Sequence, residues 1–208
     1  MTQARPYGGV DAADRLARRR ARLLEAGLEL LGSNVDPPLS SPFGGICREA
    51  GVATRYFYES FADKDEFVAA VFDWVVADLA ATTQAAVATA PVEGQNRAAM
   101  ANIVRTIELD PRVGRLMFSS QLSNTTVVRK RQESGALFAL LSGQHVEATL
   151  HRPANDRVKA FAHFVVGGVG QTISAWLGGA VTLTPPTELA DQLTTIIDDL
   201  GDPRLFRD

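Results

Sequence analysis

The chain has 208 residues, of which 46% are hydrophobic, and a formal net charge of −3 at pH 7. This length suits one large hydrophobic core or two modest ones. Charges interrupt the apolar runs every few residues, so no run approaches the roughly 20 apolar residues of a membrane span. No signal peptide is visible, and the single cysteine, Cys47, excludes an internal disulfide. We therefore expect a cytoplasmic protein with no membrane segment.

The charge is unevenly distributed along the chain. Residues 1–24 contain six arginines and two aspartates, whereas the part beyond residue 64 is acidic. A basic N-terminal end on an acidic body would direct that end of the molecule toward phosphate groups. The competing interpretation is that Arg18 to Arg22 form only a solvated helix face.

Apolar residues recur at spacings of three and four, and no segment alternates convincingly with period two, so the sequence predicts an all-α fold. Asp36-Pro37-Pro38 prevents the first helix from continuing, Gly51 provides a turn, Asp63 is a suitable N-cap and Pro91 ends the long fourth helix. The predicted helices span 12–31, about 41–50, 53–61, 64–90, 93–109, 111–122, 125–151, 155–180 and 187–200.

The second and third helices, joined by the Gly51 turn, form a helix–turn–helix arrangement with the first. Phe57 and Phe61 are four residues apart, so they share a face and are expected to pack inward. This packing leaves Arg55 and Tyr58 on other faces. The alternative is an ordinary helical corner whose aromatic residues all belong to the core.

The exposed side chains of the third helix have the chemistry needed to contact a DNA duplex. Arg55 can donate two hydrogen bonds to guanine, and Tyr56 can pack on a thymine methyl or reach a phosphate. The Tyr58 hydroxyl and the Lys64 ammonium suit phosphate oxygens.

The combination of Ala50-Gly51-Val52, Tyr58, Phe61 and Lys64 is similar to the DNA-binding domain of TetR-family transcriptional regulators. The resemblance covers about residues 14–72. It implies base contacts from Thr54, Arg55 and Tyr56 and phosphate contacts from Tyr58 and Lys64.

The resemblance also implies backbone contacts near the start of the second helix, for which Ser41 and Arg48 are the candidates. The match is weaker there, because Pro42-Phe43-Gly44-Gly45 stands where the family often has threonine and a charged residue.

Beyond this region the chain resembles the family in plan. TetR-like proteins follow the DNA-binding domain with a larger helical domain that dimerises and often encloses a small-molecule pocket. The resemblance therefore implies a DNA-binding domain at 1–62 and an effector-binding and dimerisation domain at 63–208. It further implies a homodimeric repressor on a palindromic DNA operator, with recognition helices roughly 34–36 Å apart or a multiple of that, released by a small, mostly apolar ligand.

The effector cavity is expected where flexible methionines and aromatic residues occur with few polar groups, as apolar ligand sites prefer. The same stripe is also compatible with an ordinary core. The candidate lining residues are Met100, Ile103, Val104, Ile107, Met117, Phe118, Leu122, Phe138, Leu141 and His145.

Two amphipathic stripes predict the dimer interface independently of the resemblance. Such helices, meeting their copies, would give a four-helix bundle across a two-fold axis. The first stripe contains Phe161, Phe164, Val165, Gly168, Val169, Thr172, Ile173 and Trp176, and the second contains Leu189, Leu193, Ile196 and Ile197.

Other functions have weaker support in the sequence. The three histidines lack metal-ligand spacing, and the glycine cluster at 167–170 has no strand before it, so it does not resemble a phosphate loop. We therefore expect no metal, no cofactor and no enzymatic activity. The main alternative is a helical ligand-binding or protein-interaction dimer that does not bind DNA, and an all-α enzyme is a third.

Overall fold

A computed structural model describes residues 12–33, 44–150 and 155–201. In these ranges the chain forms α-helices and no strand, which confirms the predicted all-α fold. The helices are α1 Ala12–Leu31, α2 Gly44–Glu49, α3 Thr54–Ser60, α4 Lys64–Thr89, α5 Gln95–Leu109, α6 Pro111–Phe118, α7 Thr125–Leu150, α8 Asp156–Leu177 and α9 Pro186–Leu200, with a 3-10 turn at Val92–Gly94 before α5.

Two helices are shorter than the sequence predicts. Helix α6 ends at Phe118, where Ser119 becomes extended, and the predicted extension to residue 122 is wrong. Helix α8 ends at Leu177, because Gly178 caps it and Gly179 adopts a positive φ of 77°. Such a backbone conformation favours glycine and interrupts helical hydrogen bonding.

The N-terminal helices pack on the first half of α4. Gly27 permits the close approach of α1 and α4, since a Cβ atom there would lie 2.5 Å from Val71 Cγ2 and 2.7 Å from Phe67 Cζ. The apolar face of α1 is buried from Leu23 to Leu31, but Leu16 at the start of the helix is 44% exposed.

The remaining helices form two pairs linked by α4 and α6. Helix α5 packs against α9, and α7 against α8, while α4 contacts both α5 and α7 and α6 contacts α1 and α8. One core cluster joins α1–α4 to α6 and the start of α7, and a second joins α5, α8 and α9. The first cluster continues across residue 62, so the two expected domains share a core at α1, α4 and α6.

Within the described residues, α8 is the one helix long and apolar enough to cross a membrane by length and composition. Only 11% of its most apolar stretch is buried inside the chain. A single helix of this kind is weak evidence for a membrane span, because a helix face that a second protein copy covers has the same composition.

Candidate nucleic-acid interface and effector cavity

A triangle of phenylalanines fixes the orientation of α3. The ring centroids of Phe57, Phe61 and Phe67 lie 5.1–5.4 Å apart, and all three side chains are at most 1% exposed. Since Phe67 belongs to the first turn of α4, the short α3 is anchored to a long helix. A helix of seven residues has little stability of its own and depends on such packing.

The N-terminus of α4, next to this triangle, is capped by side chains. The Asp63 carboxylate accepts a hydrogen bond from the Glu66 backbone amide at 2.8 Å, and the Glu66 carboxylate accepts one from the Ala62 amide at 2.6 Å. These reciprocal contacts resemble a capping box. They fix the turn that separates α3 from α4.

The outer face of α3 carries the residues predicted to contact DNA. Thr54, Arg55 and Tyr58 are exposed, and Arg48 on α2 is exposed beside them. Lys64 is half-buried at the start of α4. Ser41 lies outside the described residues.

Tyr56 differs from its expected position. Its ring is half-buried against the core, the Arg19 guanidinium lies 3.9 Å from the ring centroid, and Arg55 donates a 2.7 Å hydrogen bond to its hydroxyl. Contacts within the chain therefore cover much of the Tyr56 ring.

Two arginines of α1, Arg19 and Arg20, contact α3 and the residue that follows it, and the sequence did not predict these contacts. Arg20 donates to the Ser60 carbonyl at 3.1 Å and lies over the Phe61 ring, while Arg19 also approaches the Glu59 carboxylate at 3.9 Å. These two side chains are therefore not simply part of a solvated face. Both arginines lie beside the leucine face of α1, and this position in the sequence could have indicated the contact with α3.

A cavity of about 510 Å³ lies between α4, α5, α7 and α8, with α6 and α9 each contributing one residue. This volume falls within the range of about 300–1,000 Å³ that is usual for small-molecule sites. Gln84, Ala88 and Gln144 line it and are exposed, so they mark its rim.

Six of the predicted effector residues line this cavity: Met100, Ile103, Phe118, Phe138, Leu141 and His145. The other four do not, because their side chains fill the core beneath it. Val104 and Ile107 belong to the α5–α8–α9 cluster, whereas Met117 and Leu122 belong to the cluster around α4.

The lining of the cavity also includes residues that were predicted to form the dimer interface. Phe161, Val165, Val169, Ile173 and Ile197 all line it. A stripe of apolar residues on one helix cannot reveal whether a cavity or a second copy covers it, which is why the sequence did not separate them.

The predicted dimer interface needs correction at four positions. Ile173, Leu189, Leu193 and Ile197 are 0–9% exposed and face the chain's own core, so a second copy could not reach them. Phe164 is 65% exposed, Ile196 is 42% exposed and Gly168 is exposed. Thr172 and Trp176 are half-buried, and the Trp176 indole donates to the Leu183 carbonyl at 3.2 Å.

Helix α6 connects the cavity to the N-terminal helices. At one end Phe118 lines the cavity. Near the other end Arg112 binds Glu25 and Glu29 of α1, both at 2.9 Å, and Arg115 donates to the Gly32 carbonyl.

Arg131 of α7 holds the C-terminal end of α6. Its guanidinium donates to the carbonyls of Arg115, Leu116 and Leu122. Burial lowers the pKa of Arg131, but a guanidinium remains charged in proteins and suits the negative end of a helix dipole.

Comparison with known proteins rests on structure. No protein-family model and no curated protein sequence matches the chain. The fatty acid degradation regulator FadR from Bacillus halodurans superposes with a TM-score of 0.70 at 15% identity, covering 89% of this chain and 96% of that one. A TetR-family transcriptional regulator from Streptomyces coelicolor gives 0.66 at 18% identity, covering 88% and 80% respectively.

The chain has the TetR fold. A third structure with this fold, FadR from Bacillus subtilis in complex with stearoyl-CoA, gives a TM-score of 0.68 at 12% identity, covering 85% of this chain and 96% of that one. In this chain α3 is the third helix of the N-terminal part, and the cavity lies in the larger helical part that follows. Among the described residues no group of His, Cys, Asp and Glu could hold a metal ion.

Proposed function

We propose that this protein is a TetR-like transcriptional repressor that binds operator DNA as a homodimer and is released by a small ligand in the α4–α8 cavity. The observation that carries the proposal is the outward display of Thr54, Arg55 and Tyr58 on a helix anchored by the Phe57–Phe61–Phe67 triangle. A recognition helix must be held rigidly to place side chains in a major groove. Solved regulators with the same fold support this assignment.

The proposed site on DNA comprises a base-reading part and a phosphate part. Thr54 and Arg55 contact bases, with Tyr56 in a supporting position, while Ser41, Arg48, Tyr58 and Lys64 contact phosphates. A palindromic operator in the cytoplasm is the corresponding partner, and the exposed residues of α8 and α9 form the dimer surface.

Ligand binding would act by changing the relative populations of two arrangements of the DNA-binding heads. A ligand shifts such an equilibrium only by its difference in affinity for the two arrangements. Helix α6 is suited to transmit the effect of ligand binding to the N-terminal helices, because Phe118 lines the cavity while Arg112 and Arg115 bind α1 and the residue after it.

Selection of preferred sequences from a pool of random duplexes tests the proposal. We expect enrichment of a palindrome, and affinity for any duplex should fall steeply with salt, because phosphate contacts release counterions. No enrichment and no binding to duplex at low salt would instead favour the ligand-binding or protein-interaction dimer.

A further inference from the structure

The lining of the cavity carries no carboxylate, ammonium or guanidinium group among the described residues. Among the described residues that line it, none is lysine, arginine, aspartate or glutamate. Most are aliphatic or aromatic, and the polar ones carry amides, hydroxyls or an imidazole, as in Gln84, Gln95, Thr83 and His145. The lining therefore offers hydrogen bonds but no fixed counter-ion.

At the α5–α9 end of the rim, the nearby charged groups do not supply a counter-ion for an anion either. Asn96, which lines the cavity, donates a 2.7 Å hydrogen bond to the Asp198 carboxylate. The adjacent cation, Arg97, is paired with Asp191 at 2.5 Å. Arg97 and Asp191 neutralise each other and Asp198 already accepts from Asn96, so this end of the cavity offers no free cation to an anionic ligand.

The start of α5 also lies at the lining, and a helix N-terminus can attract anions. Here α5 continues directly from the 3-10 turn at Val92–Gly94, and the amides at this junction already have backbone partners. Gly94 donates to Pro91 at 2.8 Å, and Gln95 donates to Val92. These two amides are not available to a ligand.

We propose that the cavity binds an uncharged, largely apolar molecule with one or a few hydrogen-bonding groups, and that it discriminates against carboxylates and other ionised ligands. An ionised group placed in this lining would lose its hydration without gaining an ion pair, whereas an alcohol or amide could use the amide side chains of Gln84 and Gln95. The inference rests on the proposed function in taking this cavity as the effector site. The stearoyl-CoA of the Bacillus subtilis regulator belongs to another ligand class in the same fold.

Matched ten-carbon compounds test the inference by isothermal titration calorimetry on the full chain at pH 8. The probes are 1-decanol, decanoate and decylammonium, which share an alkyl chain and differ in the charge of one end group. We expect 1-decanol to bind at least about 100-fold more tightly than either ion, because only the ions must be desolvated without a partner.

Two glycine variants locate the binding. Gly170 lines the cavity, and a Cβ atom there would lie 3.9 Å from Phe118, so Gly170→Leu places a side chain in the cavity without an initial clash. Gly135 on α7 does not line the cavity and has nothing within 4 Å of its Cβ position, so Gly135→Leu is the control. Gly170→Leu should weaken 1-decanol binding at least about tenfold while Gly135→Leu leaves it unchanged.

A reciprocal variant tests the role of charge itself. Gln84→Arg adds a cation at the rim and should raise the affinity for decanoate at least about tenfold without improving 1-decanol. Decanoate binding as tightly as 1-decanol in the unmodified chain would overturn the inference, as would the absence of any 1-decanol binding up to its solubility limit. Neither result depends on DNA, so a failure here is distinct from a failure of the duplex selection.

Discussion

At the scale of single residues, contacts within the chain hold the side chains of α3 in place. The guanidinium groups of Arg19 and Arg55 both lie over the Tyr56 ring, at 3.9 and 4.6 Å from its centroid. Arg55 is exposed but bonded to the Tyr56 hydroxyl. Engaging a guanine would therefore exchange one hydrogen bond of Arg55 for two, and Tyr56 would act mainly by positioning that arginine.

Arg55 and Lys64 are expected to contribute differently to DNA binding. Arg55→Ala should cost about 1–3 kcal/mol on the selected operator and relax its sequence preference, since a bidentate contact reads a base. Lys64→Ala should weaken every duplex about equally and lower the salt slope by about 1. Fluorescence anisotropy on the operator and on a scrambled duplex over a range of salt concentrations measures both effects.

Arg97→Ala is the matched control for these two variants. It removes the same charge from α5, where Arg97 is exposed and paired with Asp191, and should leave DNA affinity nearly unchanged. Equal losses on operator and scrambled duplex for both Arg55→Ala and Lys64→Ala would refute the assigned roles.

At the scale of elements, the packing of α1 on α4 joins the N-terminal helices to the rest of the chain. Gly27 lies at this crossing, against Val71 and Phe67, which are 0% and 1% exposed. Gly27→Ala should therefore destabilise the fold by about 1–3 kcal/mol, because the buried neighbours must shift. Urea unfolding followed by circular dichroism measures this change.

Gly135→Ala provides the comparison for Gly27→Ala. Its Cβ position in α7 is open, so the helix should gain about 0.5–1 kcal/mol from the lower flexibility of the unfolded chain. Two variants with the same free energy of unfolding would show that the α1–α4 crossing tolerates a methyl group.

The cap of α6 makes part of the stability depend on pH. Asp110 accepts hydrogen bonds from the Arg112 amide and guanidinium, and the arginine holds the pKa of that carboxyl below its usual value. A depressed pKa in the folded state means that this stabilisation is present above the unfolded pKa of about 3.9 and is lost as pH falls through the folded pKa.

Asp110→Asn removes the charge but keeps a capping side chain, since asparagine also caps helices well. The variant should lose up to about 1 kcal/mol at pH 7, because the site is partly exposed and screened, and the difference from the unmodified chain should shrink toward pH 2. Thermal unfolding at a series of pH values provides the measurement. A constant difference at every pH would contradict the ionic origin.

The helices were largely predictable, and their partners were not. Pro91, Pro111 and the Asp63 cap mark helix ends through local backbone chemistry, which a sequence displays directly. The pairing of α5 with α9 is a long-range choice between apolar faces of similar composition, so Ile197 could not be distinguished from an interface residue in advance. Likewise, periodicity identifies the buried face of a helix but not the element opposite it. It could not show that four of the expected cavity residues lie in the core beneath the cavity.

At the scale of the whole molecule, the apolar surface of α8 remains without a partner within the described chain. Phe164 is 65% exposed, and the exposed Gly167 and Gly168 follow it with open space around their Cβ positions. Small residues beside a large aromatic one allow two helices to approach closely. A homodimer packed through this face of α8 would cover the apolar surface.

We expect Phe164→Glu to convert the dimer to a folded monomer, because the carboxylate would be buried at the two-fold interface while remaining solvated in the free chain. Sedimentation velocity measures the mass, and circular dichroism checks the helical content. Ile173→Glu is the informative contrast: Ile173 is 0% exposed in the chain's own core, so the same charge there should unfold the protein rather than separate two copies. A Phe164→Glu protein that stays dimeric would move the interface away from this face of α8, and a wild-type chain that sediments as a monomer would remove the two-headed mode of DNA binding altogether.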